Sequence, residues 1–243
     1  MEEVLELDST GNTGFLTARK IYRNFKTSEG NLEVLRGIDL TINQGEMTAV
    51  IGESGVGKST LLHILGGLDK PSEGSVRLDG DDLFSKSEKE ITAYRNKNIG
   101  FVFQHHYLLD DFTARENVMM PALIAGKSID KASQLSEQLL MDVGLKDRMS
   151  HRPNQMSGGE LQRAAVARAL VNSPRVVIAD EPSGNLDIRT GERLHSMLSE
   201  LNRSKGITFV IATHNTGLAR SCSRIVKLEN GLAGEAYRLG GKR

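Results

Sequence analysis

Three glycines, a lysine and three hydroxyls fall together in Gly52-Glu53-Ser54-Gly55-Val56-Gly57-Lys58-Ser59-Thr60, a spacing suited to gripping a chain of phosphates. Gly52, Gly55 and Gly57 let the backbone bend so that its N–H groups turn inward, where they and a helix N-terminus attract polyphosphate. Lys58 is then placed to reach the β- and γ-phosphates, the Ser59 hydroxyl to ligate Mg²⁺, and Thr60 to cap the helix or touch the α-phosphate. Such a loop needs a buried strand before it and a helix after it. Met47-Thr48-Ala49-Val50-Ile51 and Leu61-Leu62-His63-Ile64-Leu65 supply both. The match in this setting reads as nucleotide binding, not as a turn that merely holds glycines.

A second group of residues completes the chemistry. Arg175-Val176-Val177-Ile178-Ala179-Asp180-Glu181 has the pattern of a buried parallel strand that delivers a carboxylate, Asp180, to a Mg²⁺ shell. Glu181 follows it, with Pro182 halting the strand, and a carboxylate there can polarise a water for attack on the γ-phosphorus. Ile99 to Phe103 is another buried strand, ending at Gln104, whose amide could meet Mg²⁺ or the attacking water or simply face solvent. Ile207 to Ala212 ends at Thr213-His214. The carboxyl ends of strands in open α/β sheets face the nucleotide, so Gln104, Asp180, Glu181 and His214 should share one rim.

Two further signals leave alternatives open. Ser157-Gly158-Gly159-Glu160 starts a strongly helical run, Leu161 to Leu170, and makes a second anion-binding helix N-terminus; it also fits an ordinary capping box with Ser157 as cap and Glu160 three residues on. Phe25 could stack on a purine ring or close a strand as core. His105 and His106 lack a third ligand nearby and fit a groove surface with Tyr107 and Phe112 better than a metal site.

The elements that must position these groups follow from periodicity. Phe15–Tyr22 and Val34–Ile42 read as an antiparallel pair ahead of the phosphate-binding strand, and Lys58–Leu68 as the helix after it. Ser75–Leu78 is a further strand and residues 87–97 a helix. From Asp111 to about Gly144 only helical signals occur: one helix starts at Thr113 or Ala114, and Asp130 can cap a second. Ile188–Ser204 is helical, and Ile225–Leu228 and Ala233–Leu239 are closing strands. The acidic, polar residues 1–13 should form a flexible tail.

Composition narrows the setting. The 243 residues can bury a substantial core, and 31 Lys plus Arg balance 31 Asp plus Glu, so no overall field favours nucleic acid. Cys222 is the lone cysteine, which excludes an internal disulfide and a cysteine zinc cluster. No apolar stretch approaches membrane-spanning length and the N-terminus lacks signal-peptide order, so a cytosolic chain is expected.

In order and spacing, the phosphate loop, Gln104, Ser157-Gly158-Gly159, Asp180-Glu181, Ser183-Gly184-Asn185-Leu186-Asp187 and His214 resemble the ATP-binding cassette (ABC) ATPases over roughly residues 15 to 235. The resemblance implies an α/β phosphate-loop NTPase fold: a RecA-like core, an antiparallel β subdomain, and an inserted helical subdomain at about 105–170 within one domain, 14–238. It implies a homodimer with two ATP molecules sandwiched head to tail, Ser157 of one copy closing on the γ-phosphate held by the other. Phe25 matches the adenine-stacking aromatic, commonly Tyr. Met156 stands for the usual Leu, Glu160 for the usual Gln and Asn215 for the frequent Asp.

A narrower resemblance is to lipoprotein-releasing ATPases of the LolD type, within the group that includes macrolide exporters and the cell-division ATPase FtsE. It rests on Leu62-His63-Ile64-Leu65-Gly66-Gly67-Leu68-Asp69, Gln104-His105-His106-Tyr107-Leu108-Leu109, Asp111-Phe112-Thr113-Ala114-Arg115-Glu116-Asn117-Val118, His151-Arg152-Pro153 and the Ser-Gly-Asn-Leu-Asp loop. It implies ATP and Mg²⁺ as ligands, integral membrane permease subunits as partners, a peripheral place on the cytoplasmic side of the inner membrane, and release of lipoproteins toward the outer membrane; the alternative is a macrolide or peptide exporter or an FtsE-like complex. Lys58, Gln104, Glu181 and His214 would be catalytic, with Ser59, Gln104 and Asp180 around Mg²⁺. A chromosome-maintenance ABC protein would need a long coiled coil between Lys58 and Ser157, where no sustained heptads appear. A translation factor usually carries two cassettes, and a nucleotide kinase would leave Ser157–Gly159 and Glu181 without purpose.

Overall fold

The computed structural model describes residues 14–28 and 30–238; the tail expected at 1–13 and the polar end at Lys242-Arg243 lie outside them. Along the chain run β1 (Leu16–Thr27), β2 (Gly30–Ile42), β3 (Met47–Ile51), α1 (Lys58–Leu65), β4 (Glu73–Leu78), β5 (Asp81–Asp82), α2 (Glu88–Asn98) and β6 (Ile99–Val102). There follow α3 (Ala114–Ile124), α4 (Ile129–Asp142), α5 (Gly158–Leu170), β7 (Val176–Asp180), α6 (Ile188–Lys205), β8 (Thr208–Ala212), α7 (Thr216–Ser221), β9 (Arg224–Glu229) and β10 (Leu232–Arg238). Among the described residues no helix is long and apolar enough to cross a membrane.

The continuous apolar runs become central strands because a strand covered on both faces has no side left for polar residues. One sheet has the order β10-β9-β3-β8-β7-β6, parallel from β9 to β6, with β10 antiparallel at the edge. The pleat sends alternate residues to opposite faces. Val50, Ile178 and Val210 pack with Leu61, Leu62 and Ile64 of α1, whereas Ala49, Val177 and Phe209 pack with Leu194 and Leu198 of α6. A second, antiparallel sheet, β2-β1-β4-β5, closes over the α1 side through Leu16, Ile21, Ile38 and Val76.

The helical insertion has its own core. Val118 and Ala122 of α3, Ala132 and Leu140 of α4, and Ala164 and Ala165 of α5 form it. Val166 and Leu170 on another face of α5 join the sheet core instead, so α5 belongs to both layers.

Several boundaries differ from the sequence expectation. β1 continues past Tyr22 to Thr27, which puts Phe25 inside the strand opposite Leu32. α1 stops at Leu65, because Gly66 and Gly67 allow a turn in which the Leu68 and Asp69 amides donate to His63 O at 2.8 and 3.2 Å. The cap of α4 is Ser128, not Asp130: Ser128 Oγ accepts from Lys131 N, and Asp130 falls in the first turn, where its charge suits the helix dipole. The two-residue β5 was not expected from the sequence, and of α7 only its end at Cys222 was.

Candidate active site

Because β3, β8, β7 and β6 run parallel, everything that follows their carboxyl ends emerges on one rim. The phosphate loop leaves β3, Thr213-His214 leaves β8, Asp180-Glu181 ends β7 and Gln104 comes after β6. Main-chain bonds fix the relative heights: Thr213 N donates to Val50 O at 3.1 Å and Glu181 N to Ala212 O at 2.9 Å.

The loop between β3 and α1 depends on its glycines. A Cβ on Gly52 would lie 2.4 Å from Leu228 O, so only glycine allows this close passage beside β9. Gly57 caps α1 at φ 103 with no side chain between the helix end and the loop interior. Lys58 is buried and its Nζ donates to Gly52 O at 2.9 Å and Glu53 O at 2.8 Å, which holds the ammonium within the curl of the loop. Ser59 is exposed in the first turn of α1, beside the half-buried Thr60.

Asp180 Oδ1 is buried and has no hydrogen-bond partner, and an orphaned anionic oxygen at a strand end fits a divalent cation as its counterpart. Glu181 adopts a left-handed backbone, φ 45, rare for a residue with a Cβ, and Pro182 behind it is buried. That turn aims the carboxylate across to β8. His214 Nδ1 is 2.9 Å from Glu181 Oε1, and His214 N donates to Oε2 at 3.3 Å.

Gln104 is exposed and faces the loop after Glu181: its Nε2 donates to Asn185 Oδ1 at 3.0 Å, and Asn185 Nδ2 donates back to Gln104 O at 3.2 Å. Ser183 Oγ lies 2.8 Å from Nε2 of His195, a buried histidine on α6. Leu186 is half-buried, and Asp187 caps α6, accepting from Thr190 N at 3.1 Å. Neither the Asn185 nor the His195 contact was expected from the sequence.

Ser157 caps α5 in a complete capping box. Glu160 Oε2 accepts from Ser157 N at 2.8 Å and from Ser157 Oγ at 2.9 Å, while Glu160 Oε1 accepts from Arg148 Nε at 2.8 Å. The Ser157 amide, followed by Arg148 and the Ser157 hydroxyl and against a smaller opposing effect of burial, holds the Glu160 carboxyl down at about 2. Both open readings of this motif are thus compatible with the geometry, since the cap leaves Ser157 and Gly158 exposed. A Cβ on Gly159 would meet Thr190 Cγ2 at 2.4 Å, so the start of α5 is pressed against the start of α6. His106 and Tyr107 present their carbonyls to Arg168, and a neighbouring groove is lined by Phe101, Phe103, Pro121 and Ile124.

Residues 35–184, more than half of the chain, match the family described as ABC transporter. The chain belongs to the ABC transporter family. This ABC ATPase is 54% identical over 204 residues to the lipoprotein-releasing system ATP-binding protein LolD of Bacteroides thetaiotaomicron, covering 84% of the chain and 94% of that relative. It is 48% identical over 219 residues to LolD of Geobacter metallireducens, covering 90% of the chain and 97% of the relative. Among solved structures, the cassette MJ0796 in a dimeric post-hydrolysis state bound to ADP and Pi is similar at a TM-score of 0.86 and 36% identity, covering 93% of this chain and all of that one. The phosphate-loop ABC fold expected from the sequence is the fold of this ATPase.

Proposed function

We propose that this chain is the ATP-hydrolysing subunit of a lipoprotein-releasing system, working as a homodimer on integral membrane permease subunits at the cytoplasmic side of the inner membrane. One observation carries the reading: the rim gathers Lys58, Gln104, Asp180, Glu181 and His214, while a second exposed helix start suited to an anion, at Ser157, opens α5, the helix that joins the helical layer to the sheet core. A single triphosphate is served by the first set. The second set finds its use on the triphosphate held by a facing copy. Relatives named LolD support lipoproteins as the cargo.

In this reading the phosphate loop, Gly52 to Thr60, cradles the triphosphate through its N–H groups, and Lys58 leaves the loop carbonyls for the β- and γ-phosphates. Phe25 stacks on the adenine. Ser59, Gln104 and Asp180 would hold Mg²⁺, which when bound neutralises phosphate charge. Glu181 takes the proton of the attacking water. His214, already on that carboxylate, orients it and reaches the γ-phosphate, and Ser157, Gly158 and Gly159 of the second copy stabilise charge on the transferring group. Ser183 to Asp187 link the two halves. The apolar groove of Phe101, Phe103, Pro121 and Ile124 opens beside the Gln104 end, which suits a permease segment that presses on the helical layer and the rim together.

The test is reconstitution. Tagged chain recovered from detergent-solubilised membranes should bring integral membrane subunits with it, and in proteoliposomes ATP should release a lipoprotein from the bilayer. Release of a macrolide or peptide with no effect on lipoproteins would move the chain to the exporter branch.

A further inference from the structure

Arg23 takes no part in the rim, yet it is held from several sides. Its Cζ lies 4.5 Å from the centroid of the Phe25 ring, and its Nη2 donates to Asp69 Oδ1 at 2.9 Å. Only 22% of the Arg23 side chain is exposed, and its Nε is buried without a hydrogen-bond partner. A desolvated guanidinium over an aromatic face is the strong form of the cation–π contact.

The partner carboxylate matters because of where it sits. Asp69 ends the turn after α1, the helix that begins with Lys58, and its amide is bonded to His63 O within that helix. Just beyond, Ser72 N donates to Tyr22 O at 2.8 Å and Asn24 N donates to Ser72 Oγ at 3.0 Å. The strand that carries Phe25 is therefore fastened to the helix that carries the phosphate-binding lysine, with Arg23 and Asp69 as the side-chain part of the fastening.

We propose that Arg23, held by Asp69, is a positioning residue for the nucleotide base. It backs one face of the half-buried Phe25 ring, sets the ring at a fixed distance from the phosphate loop, and leaves the other face for the purine. The cation draws ring electron density toward itself, which makes the opposite face a better partner for an electron-rich base. A ring already immobilised also loses less freedom when the base arrives. The inference rests on the reading of Phe25 as the base-stacking residue.

The test uses the full chain as wild type, Arg23→Met, Phe25→Ala and the double variant, with Asp69→Asn as a second route to a loosened guanidinium. Dissociation constants are measured for ATP and for inorganic tripolyphosphate, with KM and kcat for ATP hydrolysis. Arg23→Met should raise the ATP Kd and KM about three- to ten-fold, leave kcat within about two-fold, and leave tripolyphosphate binding unchanged. On the Phe25→Ala background it should add nothing, and Asp69→Asn should shift ATP in the same direction by less. An equal loss for tripolyphosphate, or the same penalty with and without the Phe25 ring, overturns the proposal. If Phe25→Ala itself leaves ATP affinity unaltered, the base-stacking reading fails and this inference with it; if Phe25→Ala weakens ATP while Arg23→Met and Asp69→Asn are silent, only the role of Arg23 fails.

Discussion

His214 Nδ1 lies 2.9 Å from Glu181 Oε1, and the His214 amide donates to the other oxygen of the same carboxylate at 3.3 Å. One residue thus steers both oxygens, from a strand adjacent to the one that delivers the acid. The His214 ring is largely exposed while the Glu181 side chain is only 15% exposed, so the histidine can reach outward without losing the acid.

From this pair, Glu181→Gln should retain ATP binding, trap a closed dimer and lower kcat by about 100-fold or more. Phosphate release and light scattering with Mg-ATP measure the two effects. His214→Ala should lower turnover less, and the double variant should lose less than the two single losses multiplied together, because the histidine acts in part through that carboxylate. Undiminished steady-state hydrolysis by Glu181→Gln would take the carboxylate out of the reaction.

Glu160 predicts an acid-side effect on the helical layer. Its carboxyl is lowered from 4.5 to about 2 in the folded chain, so it contributes stability above about 4.5 that is lost as pH falls toward 2. Wild type should exceed Glu160→Gln by about 1 kcal/mol at neutral pH, the worth of a capping interaction, and the gap should close on acidification. Thermal melts of both proteins across that range test it.

His195 predicts a second, milder dependence. Burial lowers its pKa from 6.5, against a smaller opposing effect of Glu192, so the imidazole protonates more readily in the unfolded chain than in the fold. Its contribution is present above 6.5 and is lost as the solution is acidified through the lower folded value. His195→Met should remove the 2.8 Å contact with Ser183, destabilise the protein by about 1 kcal/mol at pH 8, and flatten the loss of Tm between pH 7 and 5. A variant whose Tm follows the wild-type curve in parallel would discard the assignment.

Cys222 is 2% exposed, its thiol is pushed up to about 12 by burial, and its Sγ–H donates to Leu218 O. Thiol-specific reagents should therefore leave the native chain unmodified at pH 8 and label it at the rate of unfolding. Labelling faster than unfolding, followed by mass spectrometry, would show that α7 opens locally.

What could be read from the sequence was local. The phosphate loop, the strand that ends in Asp180-Glu181 and the Ser157 box each lie within a dozen residues, so spacing and residue type were enough. Gln104 with Asn185, Arg23 with Asp69 and Ser183 with His195 are separated by 81, 46 and 12 positions, and meet only because of sheet order and helix packing. Ser128 and Asp130 are both good caps two residues apart, and the apolar pattern of α4 does not choose between them. The six residues of α7 are too few to show a period.

The left-handed turn at Glu181 has an evolutionary corollary. A side chain in that backbone conformation costs about 1 kcal/mol relative to glycine, so Glu181→Gly relieves strain at the position where the proton acceptor stands. A library screened for heat resistance alone should enrich glycine there and yield robust, inert cassettes, whereas selection on turnover should keep the acid. Endurance and work pull this one codon in opposite directions.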